Sequence, residues 1–177
     1  MATKISHFAG GNCLAFLDEE TSIYTDVYKT ISWAVSQKTR RSVLAYDEYA
    51  EIFEYVQIED SWVGEKRTDW ISIHYGSSSI YCDPNQYLLG WTMDDWMTNA
   101  SLKLAKDFKV GDGIVIKARG THESRIGSII KDNKHKKSLE KVTEVKHVHY
   151  PMDTYCLAID DTQLLVMNDA MALTEQK

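Results

Sequence analysis

An all-β domain carrying at most one or two short helices is the fold class this sequence predicts, on three observations. Ten tyrosines and five tryptophans accompany only two prolines and nine glycines, a bias toward side chains that suit pleated, half-buried surfaces. Ile, Val and Thr fall in many short runs rather than in long helical periods. Turn signals separate those runs: Gly76-Ser77-Ser78 divides two alternating segments, and Asn168-Asp169 tolerates the positive φ of a tight hairpin.

In chain order the runs predict strands at Thr21–Thr25, Ser42–Tyr46, Phe53–Ile58, Asp69–Tyr75, Ser79–Cys82 and Ser101–Leu104. Further strands are predicted at Gly113–Lys117, Arg125–Ile130, Val142–Tyr150, Thr154–Asp160, Gln163–Met167 and Ala170–Leu173. Tyr46–Val56 reads two ways, because apolar positions 46, 49, 50, 53 and 56 also make a helical face. Ala105–Val110, ahead of Gly111-Asp112, fits a single helical turn leading into the next strand. No repeat recurs at a fixed period.

Composition narrows the function classes. The 177 residues fit one compact domain, and 44% hydrophobic with 26% charged residues is ordinary globular usage. Apolar runs stop far short of the ~20 residues that span a bilayer, and the amino-terminal stretch lacks the apolar block of a secretory signal, so a cytoplasmic protein without a membrane span is expected. A net charge of -6 disfavours nucleic acid as partner. Three cysteines at 13, 82 and 156 provide neither a disulfide framework nor close zinc-ligand spacing. His147 and His149 share a strand face, yet no third ligand lies at suitable spacing, so no metal is expected. The lysines of 131–137 read as a solvated loop, and Trp62, Trp70, Trp91 and Trp96 fit a recognition surface and packing equally well and stay unassigned.

Several segments, in one order, are similar to the motifs of the Hedgehog/intein (Hint) family. Cys13-Leu14-Ala15-Phe16, followed by Thr21-Ser22-Ile23-Tyr24-Thr25, resembles the family's opening cysteine and T-x-I-x-T strand. Val43-Leu44-Ala45-Tyr46-Asp47 resembles its V-L-S-Y-D strand, and Ala105 to Asp112 its A-x-D-L-K-V-G-D segment. Tyr155-Cys156-Leu157-Ala158-Ile159, Thr162-Gln163-Leu164 and Asn168-Asp169 resemble its Y-D-L-x-V, H-N-F and N-G hairpin. The resemblance implies a horseshoe-like β fold that brings its two ends together, with no cofactor. It implies an extein-like flank at 1–12, a single Hint domain at 13–174 and a tail at 175–177. The connection between the strand motifs and the final hairpin is too short for the homing endonuclease that many inteins carry.

The implied chemistry is a self-catalysed N–S acyl shift, with Cys13 attacking the carbonyl of Asn12 and the flanking polypeptide in cis as its only substrate. A thiolate is the better nucleophile, and Gly10-Gly11 allow a strained approach. The family's T-x-x-H motif, which protonates the leaving nitrogen, falls on Asp83-Pro84-Asn85-Gln86. Gln86 cannot exchange a proton near neutral pH, so general-acid assistance of ~10²–10⁴ in rate is missing. The terminal His-Asn pair falls on Leu173 and Thr174; threonine has no amide nitrogen, so asparagine cyclisation is absent by composition. Cys156 replaces the family's aspartate, a place where some inteins use a cysteine as alternative nucleophile, although Leu88 stands where those carry tryptophan.

Bland readings compete at each position. Cys13 and Cys156 serve equally as small buried apolar residues, and Asp83 with Gln86 as a polar turn after a strand rather than a repurposed acid site. Three functions therefore stand: a degenerate intein with residual cleavage at Asn12-Cys13, a non-catalytic binding or structural module on the same fold, as in phage or mobile-element settings, and an unrelated β enzyme with a polar cleft elsewhere.

Overall fold

The computed structural model describes residues 8–17, 26–94, 97–118, 137–160 and 163–174. Cys13–Leu17 (β1) and Asp26–Thr30 (β2) open it as an antiparallel pair, with Cys13 opposite Thr30. Helix α1, Ile31–Gln37, follows without a break. Its start is capped by Thr30 Oγ1, which accepts the Trp33 N–H at 3.1 Å. Its end is closed by Lys38 in the left-handed region, φ 48°, whose N–H reaches the carbonyls of Ala34 and Val35.

Val43–Asp47 (β3) and Ile52–Val56 (β4) form a hairpin, with Tyr46 paired to Phe53. The helical alternative for Tyr46–Val56 is therefore wrong: Asp47 Oδ1 accepts the N–H groups of Tyr49 and Ala50, bending the chain back at 48–51. Next come Asp60–Val63 (β5), Arg67–Tyr75 (β6) and Ser78–Cys82 (β7). β6 and β7 meet at Gly76, φ 57°. Tyr87–Asp94 (β8) and Met97–Leu104 (β9) pair along their length, and the expected helical turn is the 3₁₀ turn Ala105–Asp107. Gly113–Lys117 (β10), Lys137–Met152 (β11), Tyr155–Ala158 (β12), Leu164–Met167 (β13) and Ala170–Leu173 (β14) complete the described strands.

Ten strands join in the order β2-β1-β3-β13-β14-β8-β10-β11-β6-β7, with β4 on β3 and β9 on β8, while β12 and β5 pair separately. β11 turns the sheet's corner: its first residues pair with β10 and the rest with β6, through irregularities at Val142/Glu144 and His149/Met152. All-β is the observed class, with one α-helix and one 3₁₀ turn among the described residues.

The central strands are buried on both faces, which explains their continuous apolar runs. Val43, Ala45, Leu165 and Met167 enter the main core, and the alternate residues Leu44, Tyr46, Leu164 and Val166 enter a second cluster. β1, β2, β5, β8 and α1 were not expected from the sequence. In α1, the β-branched Ile31 and Val35 mask a helix whose Ile31, Ala34 and Val35 face inward. The strands expected at Thr21–Thr25 and Arg125–Ile130, the lysine loop at 131–136, Trp96 and Thr162 lie outside the described residues.

Candidate functional site

Cys13 begins β1 and is half-buried. Its backbone is tied to the tip of the β13–β14 hairpin: the Cys13 N–H donates to Asn168 Oδ1 at 2.6 Å, and the Asn168 N–H donates to the Cys13 carbonyl at 2.9 Å. Asn168 and Asp169 have φ of 47° and 68°, the paired left-handed conformations of a two-residue hairpin turn. The expectation that the chain's beginning and its final hairpin share one place is met here.

The peptide between Asn12 and Cys13 is fully bonded. The Asn12 carbonyl accepts the Ile31 N–H at 2.8 Å. Its side chain is almost wholly buried; Nδ2 donates to the carbonyls of Ala9 (2.9 Å) and Tyr81 (2.6 Å). Oδ1 accepts from the Tyr81 N–H (3.1 Å) and from Asn168 Nδ2 (2.8 Å). Asn168 Nδ2 also donates to the Ser79 carbonyl, and the Tyr75 hydroxyl donates to the Asn168 carbonyl at 2.6 Å. A buried amide with every donor and acceptor engaged is rigidly placed.

Gln86 lies at the opposite end of the same hairpin. It is completely buried, and its Nε2 donates to the carbonyls of Leu173 (2.7 Å) and Tyr87 (3.0 Å), which uses both amide hydrogens. Its Oε1 is buried without a partner. Gln86 is thus joined to the Leu173–Thr174 bond, with Thr174 buried beside it. Asn168 lies in the turn ahead of β14 and Leu173 ends that strand, so that ~3.4 Å per residue separates the Cys13 amide from the Gln86 amide along it.

Asp83 turns away from both. Its carboxylate, nearly inaccessible, accepts from Arg67 Nη1 at 2.7 Å and from the Asn85 N–H at 2.8 Å. Its own carbonyl accepts the Gln86 N–H, making the polar turn that follows β7. Outside this turn lies a cleft of about 540 Å³ whose walls include Lys66, Arg67, Asp83, Asn85 and Lys106. Cys156 is fully buried on β12, opposite Trp62 of β5.

One residue that the sequence reading passed over occupies the meeting point. Phe8 exchanges both backbone hydrogen bonds with Tyr155 (3.2 and 3.0 Å) and bridges Cys82 of β7. Phe8 is therefore directly beside the neighbours of Cys156 and Asp83, and its ring is completely buried in the main core. Asn12 and Asn168, named from the sequence only as the residue before Cys13 and as a turn residue, hold Cys13 in place. The only sequence signal for Phe8 is that it is the sole aromatic in the polar opening stretch MATKISHF.

Burial pushes the Cys82 thiol far above its ordinary value, with Asp83 next to it adding to the shift. Cys82 is consequently a protonated, inert core residue. Among the described residues no cluster of three His, Cys, Asp or Glu side chains is arranged for a metal, and His149 Nδ1 instead meets Asp69 at 2.7 Å. No helix among them is long and apolar enough to cross a membrane.

No protein-family model and no curated protein matches the chain. Solved structures do. An intein from a hyperthermophile matches with TM-score 0.74 at 13% identity, over 97% of this chain and 100% of that one. A DnaB intein from Synechocystis matches with TM-score 0.69 at 11% identity, over 97% and 100%. A bacterial intein-like domain from Clostridium thermocellum matches with TM-score 0.62 at 15% identity, over 97% and 99%. The curled all-β architecture described above is the Hint fold of inteins. At these identities the likeness is one of fold.

Proposed function

We propose that this chain is a Hint domain of intein descent that has lost self-processing and serves as a non-catalytic binding or structural module. Phe8 is the observation that carries the reading. In the family the nucleophile must sit where the T-x-x-H turn and the Y-D-L strand converge. Here the residue whose backbone bridges Cys82 and Tyr155 is Phe8, which has no nucleophilic atom and whose side chain is buried in the main core. Cys13 is five residues further on, at the hairpin tip.

The remaining positions support the same conclusion. An acyl shift at Asn12-Cys13 needs a proton delivered to the leaving nitrogen. That nitrogen's own hydrogen is given to Asn168 Oδ1, and Gln86 spends its donors on Leu173 and Tyr87. The Asn12 carbonyl has one donor, the Ile31 N–H, in an ordinary hydrogen bond rather than a set aimed at a developing oxyanion. Thr174 offers no side-chain amide nitrogen for cyclisation, and Cys156 is fully buried on β12.

Incubating the purified chain with dithiothreitol and following it on denaturing gels tests the proposal. A single undiminished band is expected, identical for wild type and Cys13→Ala. Loss of the amino-terminal segment in wild type but not in Cys13→Ala would instead establish residual acyl transfer.

A further inference from the structure

We propose that the polar cleft beside the turn at 83–86 is a binding site for an acidic peptide, with the Arg67 guanidinium as its anchor and the Lys66 and Lys106 ammonium groups assisting. The occupant is a carboxylate-bearing segment of a partner protein. The proposal goes beyond the loss of self-processing and stands whether or not Cys13 reacts.

Arg67 is fixed in place with donors to spare. Its Nη1 donates to the Asp83 carboxylate at 2.7 Å, and that carboxylate is almost wholly buried, which ties the guanidinium to the protein interior. The Arg67 side chain is nonetheless 33% exposed and forms part of the cleft wall. Asp83 is the only acceptor its side-chain donors meet among the described residues, and Nε stays unpaired. A guanidinium carries its N–H donors in a planar fork suited to a second carboxylate. The charges left over around it are cationic. Lys66 and Lys106 are exposed in the same wall and meet no acid among the described residues. Lys106 is held there by the turn itself, its N–H donating to the Pro84 carbonyl at 2.9 Å. Of the three acids in the wall, Asp83 is neutralised by Arg67 and Asp69 is occupied by His149, which leaves Glu65. Two unpaired lysines and a part-used arginine against one carboxylate make a local cationic site on a chain of net charge -6, so an acidic segment is drawn here rather than to the surrounding surface. Glu65 and Asp83 oppose a dianion such as phosphate, which favours single carboxylates. At about 540 Å³ the cleft admits a few side chains rather than one ion.

Titrating the isotope-labelled chain at low salt with an acetylated tetraglutamate amide, followed by amide chemical shifts, tests the proposal. The expected result is saturable shifts at the Lys66, Arg67, Asn85 and Lys106 amides that the matching tetraglutamine peptide does not produce. Arg67→Lys keeps a charge for Asp83 but loses the fork, and should weaken binding about tenfold, the worth of one charge-assisted hydrogen bond. Lys66→Ser with Lys106→Ser should weaken it by at least as much while the urea midpoint stays at the wild-type value, since both side chains are exposed. Lys141→Ser with Lys146→Ser, an equal loss of charge on the exposed part of β11, should leave it unchanged. Absence of shifts, shifts spread evenly over the surface, or equal binding of tetraglutamine would each overturn the proposal. So would an undiminished affinity in Arg67→Lys, or equal weakening by the β11 pair. Tighter binding of inorganic phosphate at the same amides would also overturn it, by making the cleft a phosphate site.

Discussion

The two ends of the β13–β14 hairpin are built on opposite terms. At its tip, Asn168 engages Cys13, Asn12, Ser79 and Tyr75 with its side chain and backbone, and both atoms of its side-chain amide are used. At its base, Gln86 uses its nitrogen twice and leaves a buried oxygen without a donor. Saturated networks specify geometry, whereas a lone buried polar atom costs about 1–3 kcal/mol and marks a position where structure is not optimised. The tip is a structural joint. The base carries glutamine where the resemblance calls for histidine, as the proposed loss of self-processing expects.

The largest effect expected lies at the joint's approach. Phe8→Ala empties a fully buried aromatic site and should cost about 3–5 kcal/mol in urea unfolding. A loss under 1 kcal/mol would mean that the segment before β1 is not part of the packed core. Asn168→Ala comes next: it strands the Cys13 N–H, leaves Asn12 Oδ1 with the Tyr81 N–H alone and puts alanine at φ 47°, for about 2–3 kcal/mol. Gln86→Leu should cost about 1 kcal/mol or less, because the two donors lost are partly offset by removal of the orphan oxygen. If Gln86→Leu proved costlier than Asn168→Ala, the contrast between tip and base would be inverted.

Two smaller predictions concern titration. Cys82 keeps its proton in the folded chain, so its pKa is raised relative to the unfolded thiol. The stabilisation is complete below the ordinary thiol range and declines as pH rises above it. Cys82→Ser should therefore flatten the loss of stability above pH ~8.5 seen by denaturant titration. Asp112 shows the opposite sign: burial works against its charge, but the Lys103 ammonium at 2.7 Å and the Lys109 N–H hold its carboxyl below the usual range. That contribution is present above the ordinary carboxylate range and lost as pH falls through the lowered value. Both partners are about a third exposed, so Asp112→Asn should cost about 0.5 kcal/mol at neutral pH.

Much of the sheet was legible because its strands carry short β-rich runs with turn residues between them. Gly113–Lys117 and Ala170–Leu173 have the bounds that the sequence suggested. The positive-φ turn at Asn168-Asp169 follows from residue chemistry alone. Other elements depended on tertiary context. Asp60–Val63 is a strand only because Tyr155–Ala158 pairs with it, and Ile31–Gln37 is helical because Thr30 and Lys38 cap it against the pull of its β-branched residues. The candidate site was half visible. Cys13 and Gln86 do reach the final hairpin, but a sequence cannot tell that they reach opposite ends of it. Phe8 escaped notice because its importance is positional, set by Tyr155 and Cys82 more than seventy residues away.

The most direct test of the account is the intact mass of the wild-type chain after prolonged exposure to hydroxylamine, which traps any thioester as a cleaved hydroxamate. The account predicts one species at 20.3 kDa, unchanged with time. A growing species lacking the residues ahead of Cys13, absent from Cys13→Ala, would show a living acyl shift and contradict it.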